Sequence, residues 1–280
     1  MVGLERQALK ILLIVMVISF AVAAMLWDSD ENILQSFSVD ARETMPIAGV
    51  QRIAVESVST RVEVIPGTGP DLEVHYTGEG QLMRGSLPEL RVRRRGDTVT
   101  VELASTSSRI SFLSASVTLT VLVPPQYQGA VEVKSSSGSV NCRDLAGLTN
   151  LTVNSVSGRS SVENVNLSGR LQLESSSGAA SVATTAARGV NIRTASGRIS
   201  VELTAVSDVV DLQSSSGSVR LTMPAGSEFS VQARSASGSV TNPRGIPSQG
   251  ATERNSFTGQ VGSSGPHVSV RTASGSITLQ

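Results

Sequence analysis

VEVKSSSGSVNC, residues 131–142, returns six more times in this chain of 280 residues. The copies are LTVNSVSGRSSV (151–162), LQLESSSGAASV (171–182), VNIRTASGRISV (190–201), VDLQSSSGSVRL (210–221), VQARSASGSVTN (231–242) and VSVRTASGSITL (268–279). Their Ser-Gly pairs fall at 137/138, 157/158, 177/178, 196/197, 216/217, 237/238 and 274/275, in steps of 20, 20, 19, 20, 21 and 37 residues. A fixed period near 20 is the signature of a solenoid. One unit is too small to bury its own apolar face, so stacked neighbours share a core.

Inside each unit the apolar residues alternate with polar ones. Val131, Leu151, Leu171, Val190, Val210, Val231 and Val268 form one column, and Val133, Val153, Leu173, Ile192, Leu212, Ala233 and Val270 the next. Past the Ser-Gly pair a third column runs Val140, Ser160, Ala180, Ile199, Val219, Val240, Ile277. The fourth runs Cys142, Val162, Val182, Val201, Leu221, Asn242, Leu279. Period two marks a strand with one buried face. Each unit is therefore predicted as strand, Ser-Gly corner, strand and return loop. The predicted class is all-β, a β-solenoid or β-helix-like stack of two-strand repeats. Glycine suits a corner because it reaches positive φ cheaply. The serines let coils approach and can bond the backbone. A catalytic reading of these serines needs a base, and none recurs beside them. In this register Val201→Asp is expected to be severely destabilising, whereas Ser214→Asp, near an outer corner, is expected to matter far less.

The rest of the chain divides around the repeats. Residues 1–27 carry Arg6 and Lys10 ahead of ILLIVMVISFAVAAMLW (11–27), with Asp28, Asp30 and Glu31 after it. This charge order puts the N-terminus in the cytoplasm and the remainder outside. The favoured reading is one N-terminal transmembrane helix, a signal anchor using residues 9–27, with Trp27 at the interface. The alternative is a cleaved signal peptide ending near Ala21-Val22-Ala23, which would leave the protein periplasmic or secreted. Residues 28–49 read as a polar linker. Residues 50–130 read as an irregular β region that caps the solenoid, with 53–64 as a degenerate coil holding Thr60 in the glycine slot. Within it, 77–89 reads as loop, and Arg95-Gly96-Asp97 as a hairpin turn. Residues 131–280 form the solenoid, interrupted by a Gly-, Pro- and Ser-rich loop at 243–267 that is a candidate for binding.

Charge and chemistry exclude more than they assign. There are 23 basic and 23 acidic residues and no net charge, which argues against a nucleic-acid partner. The single cysteine, Cys142, sits in an inward column, and His75 and His267 have no ligand partner at metal spacing. Asp144, Asp208 and Asp211 do not form a column, and Arg91, Arg93, Arg94 and Arg95 read as a solvated strand edge. No catalytic, cofactor or metal site is predicted.

The segments IAVESVSTRVEVIP (53–66) and VTLTVLVP (117–124), followed by serial SSSGSV-type coils, resemble a bacterial β-strand-repeat family of unknown function labelled "putative adhesin". The resemblance covers about 50–280 and implies a fold, with an adhesin label attached. The expected function is a non-enzymatic, membrane-anchored cell-envelope protein presenting a rigid solenoid to a glycan or a cell-surface protein. Two alternatives stand beside it. One is a polysaccharide-processing β-helix, which requires outward acids and arginines to converge in a groove. The other is a self-assembling scaffold that stacks through the coil edge at the C-terminus, unless 243–267 covers that edge.

Overall fold

The computed structural model describes residues 35–84, 87–104, 111–250 and 253–280. The predicted membrane segment lies outside them. Among the described residues no helix is long and apolar enough to cross a membrane. The described residues form two facing sheets of thirteen and eleven strands. Each coil gives one strand to each sheet. In the third coil these are Ala130–Ser135 in the eleven-stranded sheet and Val140–Arg143 in the other. Neighbouring coils run parallel with no slip along these strands: Val131 faces Leu151, Leu151 faces Leu171, and Leu171 faces Val190. The four apolar columns meet between the sheets. Val131, Leu151, Leu171 and Val190 are at most 2% exposed, and so are Val162, Val182, Val201 and Leu221. The all-β solenoid reading holds.

Close backbone approach, more than positive φ, explains the corner glycines. Only Gly158 of the seven has a positive φ, at 141°. What the others share is a carbonyl of the coil below, directly under the missing Cβ. A Cβ on Gly178 would lie 1.8 Å from the Gly158 oxygen, one on Gly197 1.9 Å from Gly178, and one on Gly217 2.0 Å from Gly197. The column continues through Gly275 and ends at Gly238, whose Cβ would lie 1.9 Å from the Gly275 oxygen. Hydrogen bonds follow the corners too. Ser157 N donates to Ser136 O at 2.8 Å, Ser177 N to Val156 O at 2.9 Å and Ser196 N to Ser176 O at 2.8 Å. A side chain at the glycine slot would pry two coils apart along this ladder.

Ser214 corrects the sequence reading. It belongs to a fifth inward row with Ser57, Ser135, Ser155, Ser175, Thr194 and Thr272, each 5–7% exposed. Its hydroxyl donates to Gly197 O at 3.2 Å and accepts from Thr194 Oγ1 at 3.1 Å. Alternation carries through the strand to position five of the unit, so the outer corner begins one residue later, at exposed Ser215.

Coils do not stack in chain order at either end. The coil of Arg52–Ser57 and Arg61–Pro66 is second, because the later Thr98–Ala104 and Ser111–Val123 pair outside it. At the far end His267–Ser274 and Ile277–Leu279 insert between the coils of 209–222 and 229–241. The chain's last strand is therefore interior, not the open edge expected from its position in the sequence. The 37-residue step is the detour that makes this insertion possible.

Three segments read as irregular are ordered strands. Gln35–Met45, within the expected linker 28–49, is an eleven-residue strand whose alternating Val39 and Ala41 pack on the core. Leu72–Arg84 runs thirteen residues, into the stretch 77–89 read as loop, and seals the first coils with Leu72, Val74 and Tyr76, each at most 1% exposed. The 50–130 region thus contributes two full coils, with antiparallel strands outside them. The loop 243–267 contains Ser256–Val261, antiparallel to Phe229–Ser235, and buries Ile246 and Phe257 over the last coil. Arg244 ties it down, donating to Met223 O at 2.6 Å and Pro224 O at 2.8 Å with its guanidinium 5.5 Å from the Phe229 ring centre. Polar composition hid these strands, because a strand on a solenoid end needs only a few apolar contacts on one face.

In three successive coils the residue two past the fourth column is left-handed: Asp144 (φ 59°), Asn164 (φ 51°) and Thr184 (φ 49°). Asn164 Nδ2 donates to Asp144 Oδ1 at 2.7 Å. Asp and Asn tolerate this region, but a β-branched residue does not. Thr184→Asn is therefore expected to raise stability by about 0.5–1 kcal/mol, read as a higher thermal midpoint. An unchanged or lower midpoint would show that Thr184 carries no strain.

Candidate binding groove

Alternation that buries one face of each strand presents the other to solvent. On the eleven-stranded sheet the fourth residue of every unit points outward beside the corner. Parallel register lines these residues up as Glu102, Glu56, Lys134, Asn154, Glu174, Arg193, Gln213, Arg271 and Arg234. The corners rise as a facing wall of small residues, among them Ser136, Ser176, Ala195 and Ser215, with Val58 and Val156 conspicuously exposed at 66% and 58%. Between the two walls lies a groove of about 1180 Å³, floored by the Ser/Thr row. It crosses nine parallel strands, which at about 4.8 Å per strand makes it about 38 Å long.

Charge along the groove is mixed and polarised. Glu102 and Glu56 stand at one end, Arg193 and Arg271 toward the other. Lys134 lies 3.1 Å from Glu132 and 3.7 Å from Glu56. Hydrogen bonding to Glu132, with the charges of both carboxylates, raises the Lys134 pKa above its ordinary value. Arg193 lies 3.7 Å from Glu174 and 3.4 Å from Asp211, and Arg271 lies 3.6 Å from Asp211 on its other side. Glu102 is held by Arg93 at 3.4 Å. Pairs this exposed contribute about 0–1 kcal/mol each, so they set the chemistry of the face far more than its stability. Among the described residues no aromatic side chain lines the groove.

The residues singled out in the sequence fall elsewhere, except that Arg93 and Asp211 pair with groove residues. Cys142 is fully buried, and burial pushes its thiol up to about 12, so it is an inert core side chain. His75 is half-buried on its strand, 3.8 Å from Glu73, and His267 is exposed with Nδ1 3.1 Å from Ser230 Oγ. Among the described residues no group of three His, Cys, Asp or Glu side chains could hold a metal ion. Arg91, Arg93, Arg94 and Arg95 lie on the edge strand Glu89–Arg95, where Arg94 donates to Ala48 O at 2.7 Å and Arg91 lies 2.9 Å from Glu89. Asp144 and Asp208 serve Asn164 and Arg170, while Asp211 joins the groove network. A second depression of about 1070 Å³, near the first coils, holds Arg52, Asp71, Asp97 and Tyr127. There the Tyr127 hydroxyl donates to Ala130 O at 3.0 Å, and burial pushes the phenol well above its ordinary range. Tyr127 is thus a strut under that loop. The groove itself was legible only as a column of charged and amide residues at position four. Its continuity needed the stacking order, which sets Arg271 beside Gln213.

The family model for Toastrack DUF4097, a domain of unknown function, matches residues 50–280. The chain belongs to this family. The match takes in every coil, including the two that lie ahead of the perfect repeats. No curated protein matches it. Among solved structures, a "putative cell adhesion protein" from Clostridium sporogenes is 10% identical, with 87% of this chain and 99% of that chain covered and a TM-score of 0.43. A "putative adhesin" from Bacteroides fragilis is 12% identical over 86% of this chain and 97% of that one, with a TM-score of 0.41. Another from Parabacteroides distasonis is 9% identical over 88% and 97%, with a TM-score of 0.35.

Proposed function

We propose that this toastrack protein is a non-enzymatic recognition module of the cell envelope that binds one extended, charged glycan strand along the groove. In this reading residues 9–27 anchor it in the cell membrane and the solenoid stands outside. The observation that carries the proposal is the continuous trench across nine strands with room for one polymer strand. Lys134, Arg193 and Arg271 meet anionic groups, Asn154 and Gln213 meet hydroxyls, and Val58 and Val156 take apolar ring faces. A lining without aromatic platforms favours a ligand recognised by charge and hydrogen bonds over one held by stacking.

The test is binding of the full-length chain to anionic and neutral glycans and to isolated envelope material. Arg193→Glu with Arg271→Glu is expected to weaken binding at least about tenfold, and added salt to weaken it further. Binding that ignores both would remove the groove from the proposal. Deleting 243–267 is no longer a clean test, because that segment buries Ile246 and Phe257 over the terminal coil. One observation favours the processing alternative: Glu56 and Glu102 are cross-strand partners inside the groove. Turnover of a bound glycan that disappears in Glu56→Gln or Glu102→Gln would replace recognition by catalysis.

A further inference from the structure

Charge along the groove is compensated at one end and not at the other. Where Thr98–Ala104, Arg52–Ser57 and Ala130–Ser135 lie side by side, three acids meet three bases. Glu102 pairs with Arg93 at 3.4 Å, Glu56 with Lys134 at 3.7 Å and Glu132 with Arg52 at 3.8 Å. Toward the other end Glu174 and Asp211 meet Arg193 and Arg271, and a third arginine stands in the same column. This is Arg234, which is exposed and, among the described residues, forms no ion pair. Parallel pairing sets it directly beside Arg271, on strands about 4.8 Å apart. Asp211 answers Arg271 from the far side only, at 3.6 Å, and already serves Arg193 at 3.4 Å and Gln213 Nε2 at 2.8 Å. Like charges held opposite each other oppose folding, so fold stability gives no reason for this pair. The corners facing it carry alanine, Ala273 and Ala236, both exposed, which leaves the groove open there.

With the groove taken as the site of a glycan strand, as proposed above, we infer that Arg271 and Arg234 clasp one oxyanion of that strand and thereby fix its direction. The end that bears this acid lies over Arg271 and Arg234, and the opposite end lies over Glu56 and Glu102. Guanidiniums on neighbouring strands present N–H forks that a single carboxylate, sulfate or phosphate can bridge. An oxyanion bound between them also removes their mutual repulsion, so the pair gains more from it than a lone arginine would. At the other end the same group meets two carboxylates, since Glu56 and Glu102 are cross-strand neighbours, and each already has its base. The two ends of the groove therefore discriminate between the two ways of laying down an acid-ended strand.

The experiment titrates the full-length chain in detergent micelles with synthetic oligosaccharides long enough to span the groove. Each carries one carboxylate, sulfate or phosphate at one end and a photo-crosslinking group at the other, and a neutral oligosaccharide serves as reference. Arg234→Gln is expected to weaken the acidic probes at least about tenfold and to leave the neutral one within about twofold. Its thermal midpoint is expected to be unchanged or higher, because the opposed charges are relieved. Irradiation of wild type is expected to label peptides bearing Glu56 and Val58 and not those bearing Ala236 and Ala273. Whichever oxyanion binds most tightly names the acid of the ligand. Equal labelling of both ends, or acidic probes that Arg234→Gln leaves unmoved, overturns the clasp. In that event Arg193→Glu with Arg271→Glu separates the two readings: weakened binding keeps the groove as the site, and unchanged binding removes both. Binding of no probe at all also removes both.

Discussion

Gly178→Ala is expected to cost about 3–5 kcal/mol, enough to unfold much of the population at ambient temperature. The added Cβ would stand 1.8 Å from the carbonyl oxygen of Gly158 and 2.9 Å from its carbon. Both are backbone atoms, held by the hydrogen bonds that join the two corners, so no rotamer change relieves the contact. The coils must separate locally or the corner must turn out, and either breaks the ladder above and below. The control is Gly147→Ala. Nothing lies within 4 Å of a Cβ there, and the only cost is the left-handed backbone at φ 83°, about 1 kcal/mol. Urea unfolding of both variants decides the matter. Equal losses would mean that the corner glycines serve φ, as the sequence alone suggested, and not the approach of backbones.

Val201→Asp is the second large effect, expected at about 4 kcal/mol or more. Val201 is 1% exposed between Val182 and Leu221 in the central column of the thirteen-stranded sheet. A carboxylate there has apolar neighbours above and below, Val182 and Leu221. Ser215→Asp, one residue beyond the buried row, is exposed and expected to change stability by less than about 0.5 kcal/mol. Ser214→Asp belongs with the damaging changes, since it would bury a charge and break the bonds to Gly197 O and Thr194. Unfolding midpoints in the order Val201→Asp, Ser214→Asp, Ser215→Asp, lowest first, would confirm the inward rows. A mild Ser214→Asp would return position five to the surface.

These contrasts show how the sequence was readable and where it stopped. Columns such as Val131, Leu151 and Leu171 could be aligned by eye, because parallel stacking at a constant period sets identical positions on top of each other. The hairpin of Glu89–Arg95 and Thr98–Ala104 around Gly96 was equally local. Gln35–Met45 and Ser256–Val261 escaped notice because each packs at an end of the stack, where few apolar residues mark a strand. Lys134, Glu174, Arg193 and Arg271 share one position of the repeat, yet a column in a sequence is not a groove until the corners rise beside it.

By itself the sequence determined that the chain builds an all-β solenoid, which four apolar columns face the core, and that glycine belongs at the corner. Those features are local and repeat with the period, so each copy restates them. Only the tertiary structure decided the order of the coils, since His267–Ser274 pairs with Val209–Ser216 across a gap no local pattern records. It alone decided which strands end the sheets and which charges share the groove. Stacking order is chosen by how terminal segments cover exposed strand edges, a choice made by the whole fold at once and written in no single repeat.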